Sequence, residues 1–183
     1  MEWSATSATK AYLDTINLCG DHKRRCGLWM TREPGSNEFI SALAAGMKAK
    51  LIVEITSDVS PSTVALATAA RHTGGRLVCI LPEPVLAESK KVIRDSGLKD
   101  IVEFRTGDPL LNLLDVNPTK SVVVANNLVG AKKGLGGHFR RITKDTKEVV
   151  VRSTKRPIGK GMEVTMIGRS NVNDKRDPGG GWC

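Results

Sequence analysis

Through the middle of the chain, short apolar runs alternate with stretches of helical periodicity. Residues 51–55, 77–81, 101–104 and 121–125 are runs of four or five, rich in Val and Ile and apolar on both faces. That is the pattern of strands buried between layers of helices. Between them, 62–72 and 85–96 read as helices, the second with Pro84 near its first turn and Gly97 at its end, and a short helix is predicted near 109–114. Strand alternating with helix predicts a mostly parallel α/β sheet with right-handed crossovers.

Two helices are predicted ahead of this core. Residues 4–18 place Ala8, Ala11, Tyr12, Thr15, Ile16 and Leu18 near one stripe, with Ser4 or Ser7 as N-cap, and the polar stretch 20–25 is expected to end that helix. Residues 33–47 offer Ser36 or Asn37 as cap before Phe39, Ile40, Leu43 and Ala44. After Ala125 the rhythm weakens. The four glycines of 130–137 suggest a loop, 138–144 a short helix, and 148–152 with 162–167 two strands joined through PIGKG as an antiparallel hairpin. The segment 171–183, ending DPGGGWC, has too few anchoring side chains to order itself, leaving one domain over 1–170 and a disordered tail.

Composition narrows the classes. At 183 residues with 40% hydrophobic side chains, the chain suits one ordinary folded domain. No apolar run reaches the roughly 20 residues that span a bilayer, and MEWSATSATK lacks the basic-then-apolar pattern of a secretory signal. A cytoplasmic or nuclear location is expected, with no membrane partner. Cys19, Cys26, Cys79 and Cys183 include no C-x-x-C pair, and His22, His72 and His138 are scattered, so no metal site is expected. Cys79, inside an apolar run, reads as a small hydrophobe. His72 reads as a residue of a helix end, and Trp3 and Trp29 as packing for the leading helices.

Charge is unevenly placed. Of the net +9, residues 1–120 carry 15 basic and 14 acidic side chains, whereas 121–183 carry 13 and 5. Such an excess favours polyanions, nucleic acid among them. The cations are Lys132, Lys133, Arg140, Arg141, Lys144, Arg152, Lys155, Arg156 and Lys160, but Phe139 and Trp182 are not interleaved with them as a stacking platform requires.

The stretch KLIVEITSDVSPSTVALATAA, residues 50–70, carries the main functional signal. It reads as strand, tight turn and helix, with the turn where nucleoside or phosphate ligands sit in such folds. No glycine lies between Glu54 and Ser62, although a turn that cradles a ligand normally uses glycine to bring bare N–H groups close. Ser60 can cap the helix with Pro61 in its first turn, aiming the N–H groups of Ser62 and Thr63 at the turn as a weak anion site.

In this order of elements the chain resembles the class I S-adenosylmethionine-dependent methyltransferases, especially the small O-methyltransferase branch. Within them it is similar to a plant family known as a domain of unknown function. The matching stretches are WSATSATKAYLDTINLC, EFISALAAGMKAKLIVEI, ALATAARHTGGRLVCILPE and RPIGKGMEV, across most of residues 3–169. The resemblance implies a three-layer Rossmann-like fold with a C-terminal antiparallel hairpin. It also implies a cofactor site at Glu54, Thr56, Ser57, Asp58, Ser60, Ser62, Thr63, Leu81, Glu83, Gly107, Asp108 and Asn126.

Against the superfamily's pattern E-x-G-x-G-x-G, Glu54 keeps the acid while Thr56, Asp58 and Ser60 fall on the three glycine positions. Residues without glycine's freedom, if forced into a left-handed turn there, would cost about 1–2 kcal/mol each. The acid that grips the ribose hydroxyls is replaced by Leu81, with Glu83 two residues on; the acid near the adenine is kept as Asp108; Asn126 and Asn127 stand where metal-dependent relatives have a ligand Asp. Residues 128–147 are too few for the further strand and helix that the superfamily carries before its hairpin, so one βα unit is expected to be missing or shortened.

Three functions follow. The first is a binding or scaffold protein with an eroded S-adenosylmethionine site. The second is a methyltransferase with an atypical cofactor grip through Glu54, Asp108 and the helix start, although no catalytic residue is identifiable. The third is a nucleic-acid-binding module using the basic C-terminal part. Oligomeric state is not readable from the sequence.

Overall fold

The computed structural model describes residues 3–25, 36–108, 121–126, 149–156 and 162–169. The expected helices at 109–114 and 138–144, the 130–137 loop and the 171–183 tail lie outside them. Helix α1 spans Ala5–Arg25 and α2 Ser36–Gly46. The polar stretch 20–25 therefore continues α1 instead of ending it. Gly20 costs only about 1 kcal/mol relative to Ala in a helix, too little to stop it.

On α1, Ala8, Ala11, Thr15 and Cys19 are buried, a stripe with helical spacing. The Thr15 hydroxyl donates to Ser41 Oγ at 2.8 Å, and Ser41 Oγ donates to the Ala11 carbonyl at 3.3 Å, so α1 and α2 meet through a satisfied polar bridge.

Strand β1 (Leu51–Ile55) leads into α3 (Pro61–Thr73), then β2 (Arg76–Ile80), a 3₁₀ turn at Glu83–Val85, α4 (Leu86–Asp95) and β3 (Val102–Arg105). Every residue of α3 from Ser62 to Ala70 is buried, which marks it as the central helix. It packs on β1 and β2, and α1 and α2 pack against it. Ile52, Leu66 and Leu77 are fully buried in this core, each contributing roughly 1.5–3 kcal/mol by leaving water. Gly74, at φ 61, closes α3 in the left-handed conformation, its N–H bonded to the Arg71 carbonyl.

With β4 (Ser121–Asn126), β5 (Val149–Arg156) and β6 (Met162–Arg169), the strands form a single sheet ordered β3-β2-β1-β4-β6-β5. The first four are parallel; β6 runs antiparallel to β4 and β5 antiparallel to β6. The hairpin expected from the sequence is therefore present, and both of its strands run longer than its apolar patterning shows. Strand β4 pairs directly with β6 along its whole length, from Ser121↔Ile167 to Asn126↔Met162, so no strand stands between them. That pairing leaves the sheet without the further strand expected to be missing or shortened there; residues 127–148 lie outside the described residues.

Candidate functional site

The chain steps from β1 outward through β2 to β3 and returns to β4 on the other side of β1. At such a switch point the carboxyl ends of the strands diverge and leave a crevice. Ile55 and Ala125 pair at that end, so Thr56 after β1 and Asn126 at the end of β4 border the crevice at one level.

Glu54 is wholly buried, and its partners explain how a carboxylate tolerates that position. Ser62, in the first turn of α3, donates its hydroxyl to Glu54 Oε1 at 2.6 Å. Ser60 Oγ lies 2.8 Å from Ser62 Oγ and, because the Ser62 proton points at Glu54, acts as the donor. Cys79, register partner of Glu54 across β1 and β2, directs its thiol at Oε2 from 3.9 Å. Burial, reinforced by the negative charge of Glu54, pushes the Cys79 thiol far above its ordinary value. It remains protonated and unreactive. One signal that periodicity misses marks this pair: Glu54 and Cys79 hold the fourth place in LIVEI and RLVCI, the two strands that lie side by side in register.

The turn itself closes on its own side chains. Thr56, nearly buried, donates its hydroxyl to the Asp58 carbonyl at 2.8 Å, and its N–H bonds the Ile80 carbonyl at 3.0 Å. Ser57 and Asp58 are exposed, with the Ser57 hydroxyl 3.3 Å from Asp58 Oδ1. Ser60 caps α3 at φ −130 and ψ 173, its N–H donating to Thr63 Oγ1 at 3.2 Å. Among the described residues Lys48 alone has positive φ without being glycine. The left-handed strain expected for Thr56, Asp58 and Ser60 is therefore absent, because none of the three takes a positive φ. The expected anion site at the helix start is also altered: the Thr63 N–H bonds the Ser60 carbonyl at 3.0 Å, and the Ser62 side chain serves Glu54.

The other candidates lie at the same end of the sheet on neighbouring strands. Leu81 follows β2 and is buried, and its N–H bonds the Arg105 carbonyl. Glu83 opens the 3₁₀ turn and is exposed. Gly107, at φ 104, and Asp108 follow β3 and are exposed; that φ suits glycine alone. The structure thus joins Glu54, Ser60, Ser62 and Thr63 with Cys79 in one hydrogen-bonded group, while Glu83, Gly107 and Asp108 stand on separate loops. His72 is not a base of this site: its Nε2 lies 2.7 Å from Asp14 Oδ2 on α1, at the opposite end of α3. Among the described residues, no three His, Cys, Asp or Glu side chains gather as a metal-ligand set, and no helix is long and apolar enough to cross a membrane.

A sheet of this order, with its cleft at the carboxyl ends of β1 and β4, is the class I S-adenosylmethionine-dependent methyltransferase fold. An O-methyltransferase from Bacillus cereus, solved in complex with SAH, superposes with a TM-score of 0.51 at 18% identity, over 90% of this chain and 98% of that one. A methyltransferase from Geobacter sulfurreducens (17% identity, 85% and 88% coverage, TM-score 0.49) is also similar. So is the O-methyltransferase TomG from Streptomyces achromogenes, solved with SAM (19%, 87% and 90%, 0.49). The chain belongs to the family described as Protein of unknown function (DUF1442), which matches residues 1–115. No curated protein matches its sequence.

Proposed function

We propose that this is a methyltransferase-fold protein whose S-adenosylmethionine site is eroded and which acts as a binding or scaffold protein. The observation that carries the proposal is the closed turn: the hydroxyl of Thr56 occupies the backbone of Asp58, and Ser62 holds the buried Glu54. A ligand would have to displace both bonds to reach main chain or carboxylate. Leu81, buried and without a polar side chain, supports the same reading, since it offers nothing to ribose hydroxyls.

Magnitudes set the expected affinity. A cofactor held at about 1 μM has roughly −8.2 kcal/mol of binding free energy. Loss of a charge-assisted ribose contact removes about 1.5–3 kcal/mol. Because Asp58 is exposed, its repulsion of the cofactor carboxylate takes the hydrated value, about 1 kcal/mol. With no strain to add, these losses alone weaken binding to roughly 0.1–1 mM, and opening the turn weakens it further.

Calorimetric titration with S-adenosylmethionine and S-adenosylhomocysteine tests the proposal. A flat titration at micromolar ligand is expected. A dissociation constant below about 10 μM would overturn it in favour of a working methyltransferase with an atypical loop, for which Gly107 and Asp108 at the end of β3 are the supporting features.

A further inference from the structure

The sheet has two edges, β3 and β5, and they differ. Strand β3 has four residues, and its charges are matched locally: Glu103 pairs with Arg105 at 2.8 Å and with Arg76 at 3.5 Å. Strand β5 has eight residues, VVVRSTKR, with no acid among them, and is paired on one side only, to β6, among the described residues. Arg152 and Lys155 are exposed, stand on opposite faces by strand alternation, and form no ion pair among the described residues. Glu163, opposite Lys155 in register, is buried and accepts the Ser153 hydroxyl.

A long edge presents N–H and C=O groups to any chain able to add a strand. Its charge selects the occupant. A second copy of β5 would bring like charges against Arg152 and Lys155, which is destabilising between paired strands. Nucleic acid would satisfy the cations, but β4, β5 and β6 contain no aromatic residue on which bases could stack. An extended acidic segment satisfies both requirements, since its main chain continues the ladder while its carboxylates meet the two cations.

We propose that the edge of β5, unpaired among the described residues, is a docking site for an extended acidic peptide segment of a partner protein, which adds to the sheet as a further strand. The proposal is independent of the state of the cofactor cleft, which lies at the carboxyl ends of other strands.

Fluorescence anisotropy on the full chain tests it with a labelled Val/Glu peptide about eight residues long to match a strand, with Glu at every third position so that its carboxylates fall on both faces as Arg152 and Lys155 do. The controls are a Val/Lys counterpart and a Val/Glu peptide N-methylated at two consecutive central amides, which blocks both of its edges. The Val/Glu peptide is expected to bind and the Val/Lys peptide not. N-methylation should weaken binding at least about tenfold. The R152E/K155E double variant should reverse the charge preference, and R152Q/K155Q should remove it; both changes lie on exposed side chains. Failure of the Val/Glu peptide to bind overturns the proposal. So does indifference to N-methylation, or displacement of the peptide by oligothymidylate at equal charge, either of which would mark a general polyanion surface.

Discussion

The Ser62 hydroxyl donates to Glu54 Oε1 at 2.6 Å, joining the end of the first strand to the first turn of the helix that follows it. A helix N-terminus favours a negative charge, and the start of α3 follows the turn that borders the crevice at the carboxyl ends of β1 and β4. Here that end is occupied by the protein's own carboxylate, tied down by Ser62 and backed by Ser60 and the protonated thiol of Cys79. Electrostatics that could serve a ligand instead serve the fold.

Ser62→Ala should therefore destabilise the protein. It leaves a buried carboxylate without one of its donors, which costs about 1–3 kcal/mol. Urea unfolding followed by circular dichroism measures the loss as a lower midpoint at unchanged slope. Adding Glu54→Gln to the Ser62→Ala background should recover part of it, because a neutral amide tolerates a missing donor better than a charge does. An unchanged midpoint in Ser62→Ala would show that the bond contributes nothing.

Asp58→Asn separates charge from shape at the turn. Removing a repulsion of about 1 kcal/mol should raise S-adenosylhomocysteine affinity roughly fivefold. The triple replacement of Thr56, Asp58 and Ser60 by Gly frees the main chain as well and should exceed the single change. It should also lower stability by about 0.5–1 kcal/mol for each added glycine. Titration calorimetry reads the affinities. If the triple variant binds no better than the parent protein, the turn is not what excludes the ligand.

Much of this architecture was legible because the signals were strong and local. The run 51–55 is β1 itself, and β2 and β3 begin within one residue of the runs that announced them. Pro61 and Gly74 bracket α3 as start and stop residues should. The shortage of residues before the hairpin pointed to a missing or shortened βα unit, and β4 pairs directly with β6 with no strand between them. What the sequence hid depends on contacts between distant segments. The extension of α1 past Gly20 overrides a weak breaker, and the path of the turn through Thr56 and Asp58 avoids positive φ in a way that no spacing reveals. The Glu54–Cys79 contact needs the strand register, and the Asp14–His72 pair needs the packing of α1 on α3.

Two glycines test how firmly the packing is set. A Cβ on Gly46 would stand 2.3 Å from the Trp3 ring, and one on Gly75 would stand 2.6 Å from the Lys50 carbonyl oxygen. Trp3 is half-exposed and near the start of α1, so its ring can swing aside; the Lys50 carbonyl is main chain, bonded to the Arg76 N–H at 3.0 Å, and cannot. Gly75→Ala should therefore cost about 1–3 kcal/mol, as overpacking does, and clearly more than Gly46→Ala. Paired thermal melts decide it, and equal losses would show that Trp3 is as fixed as the strand.

Acid should reveal the clasp between α1 and the end of α3. Asp14 Oδ2 accepts from His72 Nε2 at 2.7 Å and from Arg71 at 3.0 Å, and these partners, His72 foremost, hold its carboxyl below the ordinary value of 3.8. A carboxyl depressed by folding adds stability above its unfolded value, and that stability is lost as pH falls through the lower folded value. Asp14→Asn should thus lower the melting temperature at neutral pH, and the gap from the parent protein should close as pH drops below about 4. Since Asp14 is 41% exposed, solvent screening keeps the neutral-pH difference under about 1 kcal/mol. A gap that stays constant from neutral pH to pH 3 would mean that Asp14 contributes through packing and not through its charge.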